Sequence, residues 1–429
     1  MRGDAPALLA ACLIGIAAAG AQEIPAPPEV VDLPTLMRLV RDASPRLAVE
    51  RQAIAGAEAG RITAEAYPNP TLSFGQFRQS GQQTLFEGNR QSQANVELPL
   101  LIGGQRGARI ERAEREIEAA RARVASGASS LGAEAGAAFV ALLAAQERAT
   151  LLAGTNGELA RLRNIVAGRE ASGMASRYDL ARMDVELGGS SAKLEEAKAD
   201  IADRAGQLAA LLGLRGWRPK AAGTFAPLAL DPGALAQPRD RAATSPATIA
   251  AIREETVAKS SVEVARRERW PATSVTAGRT WTSDPFGAAN YLGLSVEIPI
   301  LDTRRGPLAR AEADAITATL RRELAQAEVA ANLERLAGMI AARQSALQRF
   351  EQEAAGRLPA LKEMAEDAYR LGRSSILELL DSTRSRYELQ QTRIDLVAAL
   401  FEAQLRYLAT SGELEKAVGA DSPEPSRSR

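Results

Sequence analysis

The sequence VELPL at residues 96–100 returns as VEIPI at residues 296–300, 200 positions further along a chain of 429 residues. Three further pairs of markers repeat in the same order: Ser44-Pro45 and Ser245-Pro246, Tyr67-Pro68 and Trp270-Pro271, Gly173-Met174-Ala175-Ser176 and Gly372-Arg373-Ser374-Ser375. Solenoid repeats recur every 20–50 residues or so, which is far shorter. The pattern therefore predicts two copies of one domain-sized unit.

The markers set the predicted boundaries of this duplication. The first copy covers residues 32–213 and the second covers residues 245–413. A turn-rich connecting segment, residues 214–244, joins them. Residues 414–429 contain several Pro and Ser, and this composition predicts a disordered tail.

The N-terminus predicts a secretory signal peptide over residues 1–21. Arg2 precedes a run of small apolar residues, and Ala19-Gly20-Ala21 fits a small-x-small cleavage site. Cys12 lies inside the apolar run, which favours its removal with the peptide over attachment of a lipid. We predict no transmembrane helix after residue 21, because a membrane span needs about 20 consecutive apolar residues.

The composition excludes several classes of function. The chain has 53 basic and 53 acidic residues, so it lacks the positive charge of a nucleic-acid-binding protein. It has no His and one Cys, which excludes a histidine-based zinc or copper site and a cysteine cluster. Catalysis by Ser–His or Cys–His pairs is excluded as well. We therefore predict neither an enzyme nor a resident cofactor or metal.

Two short strands are predicted in each copy. The first copy has strands at about 71–79 and 92–99, and the second has strands at about 272–282 and 290–299. Apolar side chains alternate in them with small or polar ones, which is typical of transmembrane β-strands. Amphipathic hairpins packed on helices give the same pattern, so both interpretations stay open. We expect Pro99 and Pro299 to end the second strand of each copy.

Long helices follow the strands in both copies. Helical hairpins are predicted over 105–213 and 303–412, with Ala and Leu at close to heptad spacing. Pro359 is expected to kink or split the outgoing helix of the second hairpin. Gly173 and Gly372 mark the turns, where glycine permits a tight reversal.

Four strands cannot close a membrane barrel by themselves. Lipid offers no hydrogen-bond partner to a sheet edge, and about eight strands is the smallest known membrane barrel. Strands that span a membrane therefore require several copies of this chain. Three copies would supply twelve strands.

The chain resembles the TolC-like outer membrane factors. Three features carry the resemblance, which covers roughly residues 32–413. They are the duplication, the sequence Tyr67-Pro68-Asn69-Pro70 before the first strand, and a proline after the second strand of each copy. Within that family the chain is most similar to the CzcC-type subgroup of heavy-metal efflux systems. The sequence ELPLLIGGQR at residues 97–106 carries this part of the resemblance, because it is close to the Gly-Gly-Lys-Arg turn of the subgroup.

The resemblance implies a mainly α protein with a small β part. Three chains would form a twelve-stranded outer membrane barrel, continuous with a long periplasmic α-helical barrel. The expected partners are outer membrane lipid, a periplasmic adaptor protein and an inner membrane pump of the RND type. The implied function is a passive exit duct for heavy-metal cations. The alternatives are a drug or protein export channel of the same architecture, and a periplasmic coiled-coil scaffold without a pore.

The resemblance also implies a periplasmic gate in the second turn. It places a pore-facing tyrosine at Tyr369 and two acids at Glu378 and Asp381, with Asp179 as the acid of the first turn. The family's gate arginine corresponds to Ser374, so we consider its neighbour, Arg373, as a substitute. From spacing alone, acids near a helix start favour the helix dipole, and this plainer interpretation stays open.

The hairpin turns are the second candidate site. The resemblance implies that they dock the adaptor, and the residues that form them are Gly173, Ser176, Gly372 and Ser375.

Overall fold

The computed structural model describes residues 27–78, 90–230, 232–235, 237–282 and 287–419. The predicted signal peptide, with Cys12, and residues 420–429 lie outside the described residues. The elements as far as the connecting segment are β1 (Val30–Val31), α1 (Leu33–Ala43), α2 (Pro45–Glu65), β2 (Thr71–Arg78), β3 (Arg90–Leu100), α3 (Gln105–Ala171) and α4 (Arg177–Leu212). The remaining elements are β4 (Lys220–Ala221), α5 (Pro232–Leu235), α6 (Pro238–Thr244), α7 (Pro246–Arg267), β5 (Thr273–Thr282), β6 (Ala288–Val296), α8 (Arg305–Glu353), α9 (Leu358–Arg370), α10 (Ile376–Ser411) and α11 (Leu414–Ala417).

The chain is mainly helical, as predicted, and its longest helix is α3. This helix has 67 residues, and at 1.5 Å per residue it is roughly 100 Å long. It packs against α2, α4, α7 and α10, so that both hairpins share one wall. The two copies therefore form a single helical layer with the short strands at one end.

The outgoing helix of the second hairpin is interrupted, as Pro359 predicts. After α8, a single 3₁₀ turn covers Ala355–Arg357, and α9 then begins at Leu358. Pro359 lies in the first turn of α9, where its missing N–H has no intrahelical partner to lose. The same ring inside a continuous helix would clash with the preceding turn.

The four longer strands form one antiparallel sheet in the order β2-β3-β5-β6. β3 and β5, one from each copy, pair in the middle of the sheet, so β2 and β6 are its edges. The prolines mark the strand ends less closely than predicted. β3 includes Pro99 and ends at Leu100, whereas β6 ends at Val296, before Pro299. Pro99 is tolerated because β2 pairs with β3 only as far as Glu97, which leaves one side of Pro99 without a neighbouring strand.

The main core lies where the connecting segment crosses the helices. Residues of α1, α3, α4 and α10 pack there around the short parallel pair of β1 with β4. Two glutamines fix the connecting segment to the helices. The Gln146 side chain hydrogen-bonds both backbone groups of Ala221 at 2.9 Å, and the Gln404 side chain does the same to Leu228 at 2.8 and 3.0 Å. Such paired bonds satisfy backbone groups that would otherwise be buried without a partner.

The predicted disordered tail begins too early. α11 lies inside the segment 414–429, and Leu414 is buried in the main core. Burial of this leucine holds the start of the segment against the helices. The prediction for residues 420–429 falls outside the described residues.

One helix passes a composition test for a membrane span but is largely accounted for by packing within the chain. Among the described residues, α3 contains a window long and apolar enough to cross a membrane by length and composition. More than half of that window is buried within the chain, as in the core helix of a soluble region. The apolar residues of α3 are explained by helix packing, because they contact α1 and α10 in the main core.

Candidate functional site

The two hairpin tips have the same backbone structure. In each tip the outgoing helix ends in a glycine with positive φ, 73° at Gly173 and 70° at Gly372. The next residue donates its N–H to a carbonyl five residues back, at 2.8 Å from Met174 to Arg169 and 2.8 Å from Arg373 to Ala368. These bonds define a Schellman motif, which accounts for the two glycines.

The returning helices also begin alike. The Ser176 hydroxyl accepts the Asp179 N–H at 3.1 Å, and the Asp179 carboxylate accepts the Ser176 N–H at 3.0 Å. Ser375 and Glu378 repeat this arrangement at 3.3 and 3.0 Å. Both pairs are capping boxes. Asp179 and Glu378 are therefore equivalent residues, and each already has a structural partner in its own helix.

Tyr369 is buried where the two hairpin tips meet within the chain. It is 6% exposed and packs with Val166 and Met183 of the first hairpin in a small apolar core. Arg169 covers it, with its guanidinium 5.0 Å from the ring centroid and its Nη1 donating to the Tyr369 carbonyl at 2.7 Å. Burial raises the pKa of the Tyr369 phenol, an effect that Arg169 opposes.

The arginine at this contact is therefore Arg169, and not Arg373. The Arg373 side chain is exposed and makes no hydrogen bond or ion pair with any residue that the structure describes. Asp381 is exposed one turn after Glu378. The hydrogen bond with Glu186 raises the pKa of Arg384, and the charge of Asp381 adds to this effect. Arg169 has only a weak signal in the sequence, as a basic residue in the last turn of a helix.

Two ion-pair groups join the hairpins below the tips. Arg384 of α10 donates from its Nε and Nη2 to the two carboxylate oxygens of Glu186 of α4, at 3.0 and 2.5 Å. This contact lowers the pKa of Glu186. Glu158 of α3 is buried between Arg386 of α10 and Lys362 of α9, and its distance to the Lys362 amine is 3.4 Å. Both groups connect helices from different copies of the unit.

The sheet places most of its large apolar side chains on one face and most of its polar ones on the other, although Phe77 lies on the polar face. Strand register places one apolar set together: Leu72, Phe74, Ala94, Val96, Leu98, Val275, Ala277, Trp281, Leu292, Leu294 and Val296. The opposite face carries Ser73, Gln91, Gln93, Asn95, Glu97, Ser274, Thr276, Thr280, Tyr291 and Ser295. A sheet packed on helices would bury its apolar face, whereas Leu72, Phe74 and Leu292 are more than 70% exposed.

Side-chain hydrogen bonds on the polar face link the strands of the two copies. The Gln93 amide donates to the Tyr291 hydroxyl at 2.7 Å across Gly278, and a Cβ at Gly278 would lie 2.5 Å from the Tyr291 ring. Glu97 accepts a bond of 2.6 Å from the Ser274 hydroxyl. These contacts fix the register between the strands of the two copies.

The tips meet each other, but they do not assemble a metal site. A Cβ at Gly372 would lie 3.9 Å from the Arg169 side chain, so the two turns are neighbours. Among the described residues, no group of three or more carboxylate or cysteine side chains is placed to hold a metal ion. The tips instead expose four large apolar residues: Met174, Tyr178, Leu371 and Leu377.

Comparison with known sequences gives consistent results. Residues 36–214 match the model of the outer membrane efflux protein family. The chain is 26% identical over 366 residues to the cobalt-zinc-cadmium resistance protein CzcC of Cupriavidus metallidurans, a match that covers 84% of this chain and 82% of that protein. It is 29% identical over 310 residues to the nickel-cobalt-cadmium resistance protein NccC of Alcaligenes xylosoxydans, covering 70% and 67% of the two chains.

Comparison with solved structures gives the same fold. The outer membrane channel OprN superposes with a TM-score of 0.71 at 21% identity, over 89% of this chain and 90% of that one. CusC, whose structures concern transmembrane channel formation, superposes with a TM-score of 0.71 at 18% identity, over 90% and 91% of the chains. The chain therefore has the fold of these outer membrane channels, and its residues 36–214 match the outer membrane efflux protein family.

Proposed function

We propose that three copies of this chain form a channel through the outer membrane that serves as the exit duct of a tripartite efflux system. The observation that carries the proposal is the sheet, which exposes an apolar face and leaves β2 and β6 as open edges. Open edges are not tolerated in lipid, so β2 of one copy must pair with β6 of the next. Three copies give twelve strands, within the range of known membrane barrels.

The helices would continue this channel into the periplasm. They leave the sheet at one end, and the helices of both copies form one wall. Three such walls would close a second cylinder beneath the barrel. The polar sheet face, with Gln93, Asn95 and Thr280, would line the water-filled part of the pore.

The tips would bind the periplasmic adaptor and hold the pore narrow. Met174, Tyr178, Leu371 and Leu377 are exposed beside the two turns, and exposed apolar clusters are typical of protein interaction sites. Gly173, Ser176, Gly372 and Ser375 shape these turns. The adaptor in turn would connect the duct to an inner membrane pump of the RND type, which supplies the energy.

The gate would differ from the one that the resemblance implies. Arg169 and Tyr369 would hold the second hairpin against the first, and Asp179 contributes its charge near the Tyr369 phenol. Glu378 and Asp381 are exposed at the start of α10, and threefold symmetry would arrange them as rings of carboxylates. Acidic rings favour cations in a pore.

Heavy-metal cations are the proposed cargo. The support is the similarity to proteins named for cobalt, zinc, cadmium and nickel resistance. The metal would pass through as a substrate without a tight site, which agrees with a sequence that has no His. Calorimetric titration of the purified protein with zinc, cobalt or nickel should then reveal no sub-micromolar site. A tight site would contradict a passive duct.

Planar bilayer recording tests the channel itself. Purified protein should insert from detergent and give discrete conductance steps with a preference for cations. A periplasmic scaffold without a pore would instead be soluble without detergent and give no steps.

Complementation separates the cargo classes. A metal duct restores zinc or cobalt resistance to a strain that lacks its own outer membrane component, whereas a drug or protein export channel does not.

A further inference from the structure

We propose that the apolar face of the sheet carries a binding site for phosphorylated lipid headgroups at the end farthest from the helices, formed by Arg78, Arg90 and Arg279. The inference rests on the proposed membrane-spanning role of the sheet. It assigns charged lipid headgroups as a partner of this face, in addition to the lipid tails that contact its apolar side chains.

Strand register places the three arginines on the apolar face. Arg78 is opposite Arg90 in the β2–β3 pair, and Arg279 is opposite Ala94 in the β3–β5 pair. Positions two residues apart share a face of a strand, so all three arginines follow the series that contains Leu72 and Val96. Arg78 and Arg90 lie at the loop ends of their strands, whereas Arg279 lies level with Phe74 and Ala94.

The charge on this face is unbalanced. All three arginines are exposed, and none has an ion pair with any described residue. The described parts of the four strands contain one acid, Glu97, which lies on the opposite face and is bonded to Ser274. The apolar face of the described strands therefore carries three positive charges and no negative charge.

The direct pairing of Arg78 with Arg90 favours the binding of an anion between them. Like charges placed opposite each other in a sheet destabilise it. An anion between the two guanidinium groups would reverse that cost, and arginine binds phosphate oxygens through two parallel N–H bonds. A phosphate group is thus the natural occupant of this pair.

The position along the strands suits a headgroup rather than a lipid tail. Arg279 lies four residues below the level of Arg90 on the neighbouring strand, which is roughly 13 Å along the sheet. Its guanidinium lies 5.8 Å from the Trp281 ring, and Trp281 is nearer to the loop end. The side chain thus reaches toward the membrane surface, as long cationic side chains do at membrane interfaces. Tryptophan is itself enriched at that level.

The free-energy cost of a lipid-facing arginine is lower at this end of the sheet than at its centre. An arginine on the lipid face costs about 2–4 kcal/mol at the bilayer midplane and about 0–1 kcal/mol near the interface. Arg78 and Arg90 are therefore acceptable only at the interface, where negatively charged headgroups attract them. The helices would lie in the periplasm, so the interface at this end faces the outer leaflet.

Lipid binding to the purified full-length protein tests the site. Native mass spectrometry would count the molecules of diphosphoryl lipid A retained at increasing lipid concentration, with dephosphorylated lipid A as the second probe. We expect at least roughly fivefold weaker retention of the dephosphorylated lipid, since even one arginine near an anionic surface contributes about a fivefold effect. The triple variant Arg78→Gln, Arg90→Gln, Arg279→Gln should lose the preference for phosphate.

A matched variant controls for general loss of positive charge. This second triple variant removes three exposed arginines outside the sheet, through Arg215→Gln, Arg218→Gln and Arg321→Gln. It should leave the preference for phosphorylated lipid unchanged. Equal retention of both lipids by the wild-type protein would overturn the proposal, and so would an unchanged preference in the triple variant. Should the triple variant fail to assemble, the wild-type comparison of the two lipids still decides the question.

Conductance separates this proposal from the proposed function. Wild-type protein that gives no steps in neutral phosphatidylcholine bilayers would contradict the channel. Normal steps without discrimination between the two forms of lipid A would contradict only the headgroup site.

Discussion

The two hairpin tips have one backbone and two different sets of side chains. Both end in a Schellman glycine and restart in a capping box, with Asp179 and Glu378 as equivalent acids. The positions that contact the other tip differ, because Arg169 of the first tip covers Tyr369 of the second. The corresponding residues are Ala368 and Glu170, which cannot form the same contact in reverse. Duplication thus preserved the turn and allowed the contact surface to become asymmetric.

The largest effect is expected from removal of the buried Tyr369 side chain. Tyr369→Ala removes a buried aromatic ring from the tip core and should destabilise it by about 3 kcal/mol, as large-to-small core substitutions do. Hydrogen–deuterium exchange at α9 and at the start of α10 should accelerate strongly. Glu170→Ala, at the equivalent position of the first tip, is the control and should have little effect. Equal acceleration by both variants would mean that the tips are not asymmetric.

The second effect compares two arginines. Arg169→Gln loses a hydrogen bond from a charged group and a cation–π contact, together about 2 kcal/mol, and should raise the open probability of the pore roughly tenfold or more. Arg373→Gln should leave the current unchanged, because Arg373 has no partner among the described residues. Single-channel recording of both variants measures this difference. If Arg373→Gln opened the pore instead, the residue beside the family's gate position would be the true substitute.

The third prediction compares the two capping acids, Asp179 and Glu378. Asp179→Asn and Glu378→Gln each weaken one capping box and should each cost about 1 kcal/mol. Helicity of the first turns of α4 and α10 can be followed by exchange of their backbone amides. A much larger effect of Glu378→Gln on current than on helix stability would show that Glu378 acts in the gate beyond its role as a cap.

The smallest effect concerns the ion pair below the tips. Arg384 lowers the pKa of Glu186 from its ordinary value of 4.5, so the pair stabilises the folded chain above that pH. The stabilisation is lost as the pH falls through the lowered pKa. Glu186→Gln should cost up to about 1 kcal/mol near neutral pH, because Arg384 is half exposed and solvent screens the pair. The difference from wild type should disappear in acid.

Thermal unfolding across this pH range checks the ion-pair prediction. Glu195→Gln is the control, since Glu195 pairs with Lys198 of the same helix and both side chains are exposed. It should show almost no difference at any pH. A Glu186→Gln effect that persists in acid would mean that the carboxylate charge is not responsible.

The sequence predicted the elements that depend on local pattern. Alternation located the strands, Pro359 marked the helix break, and the two glycines marked the turns. The capping boxes were also visible, because Ser375 is followed by Glu378 at the spacing of that motif. That local signal could have assigned Glu378 to a cap from the start.

The sequence could not predict contacts that arise between the two copies. Arg169 and Tyr369 are 200 residues apart, while Glu186 and Arg384 are 198 apart. Such contacts depend on how the hairpins pack, and no local periodicity encodes that. The repeat offers one indirect signal, because these separations are close to its own period.

The central claim is that the open sheet edges close between chains. A variant with Ser73→Cys in β2 and Gly293→Cys in β6, with Cys12 replaced by Ser, would be treated with a bifunctional thiol reagent in membranes. A reagent of about 10 Å tolerates a small register shift, since neighbouring strands lie about 4.8 Å apart and rise about 3.3 Å per residue. The account predicts a covalent dimer and trimer from the double variant and neither product from the single-cysteine variants. Unlinked monomer from the double variant would contradict closure of the sheet between chains.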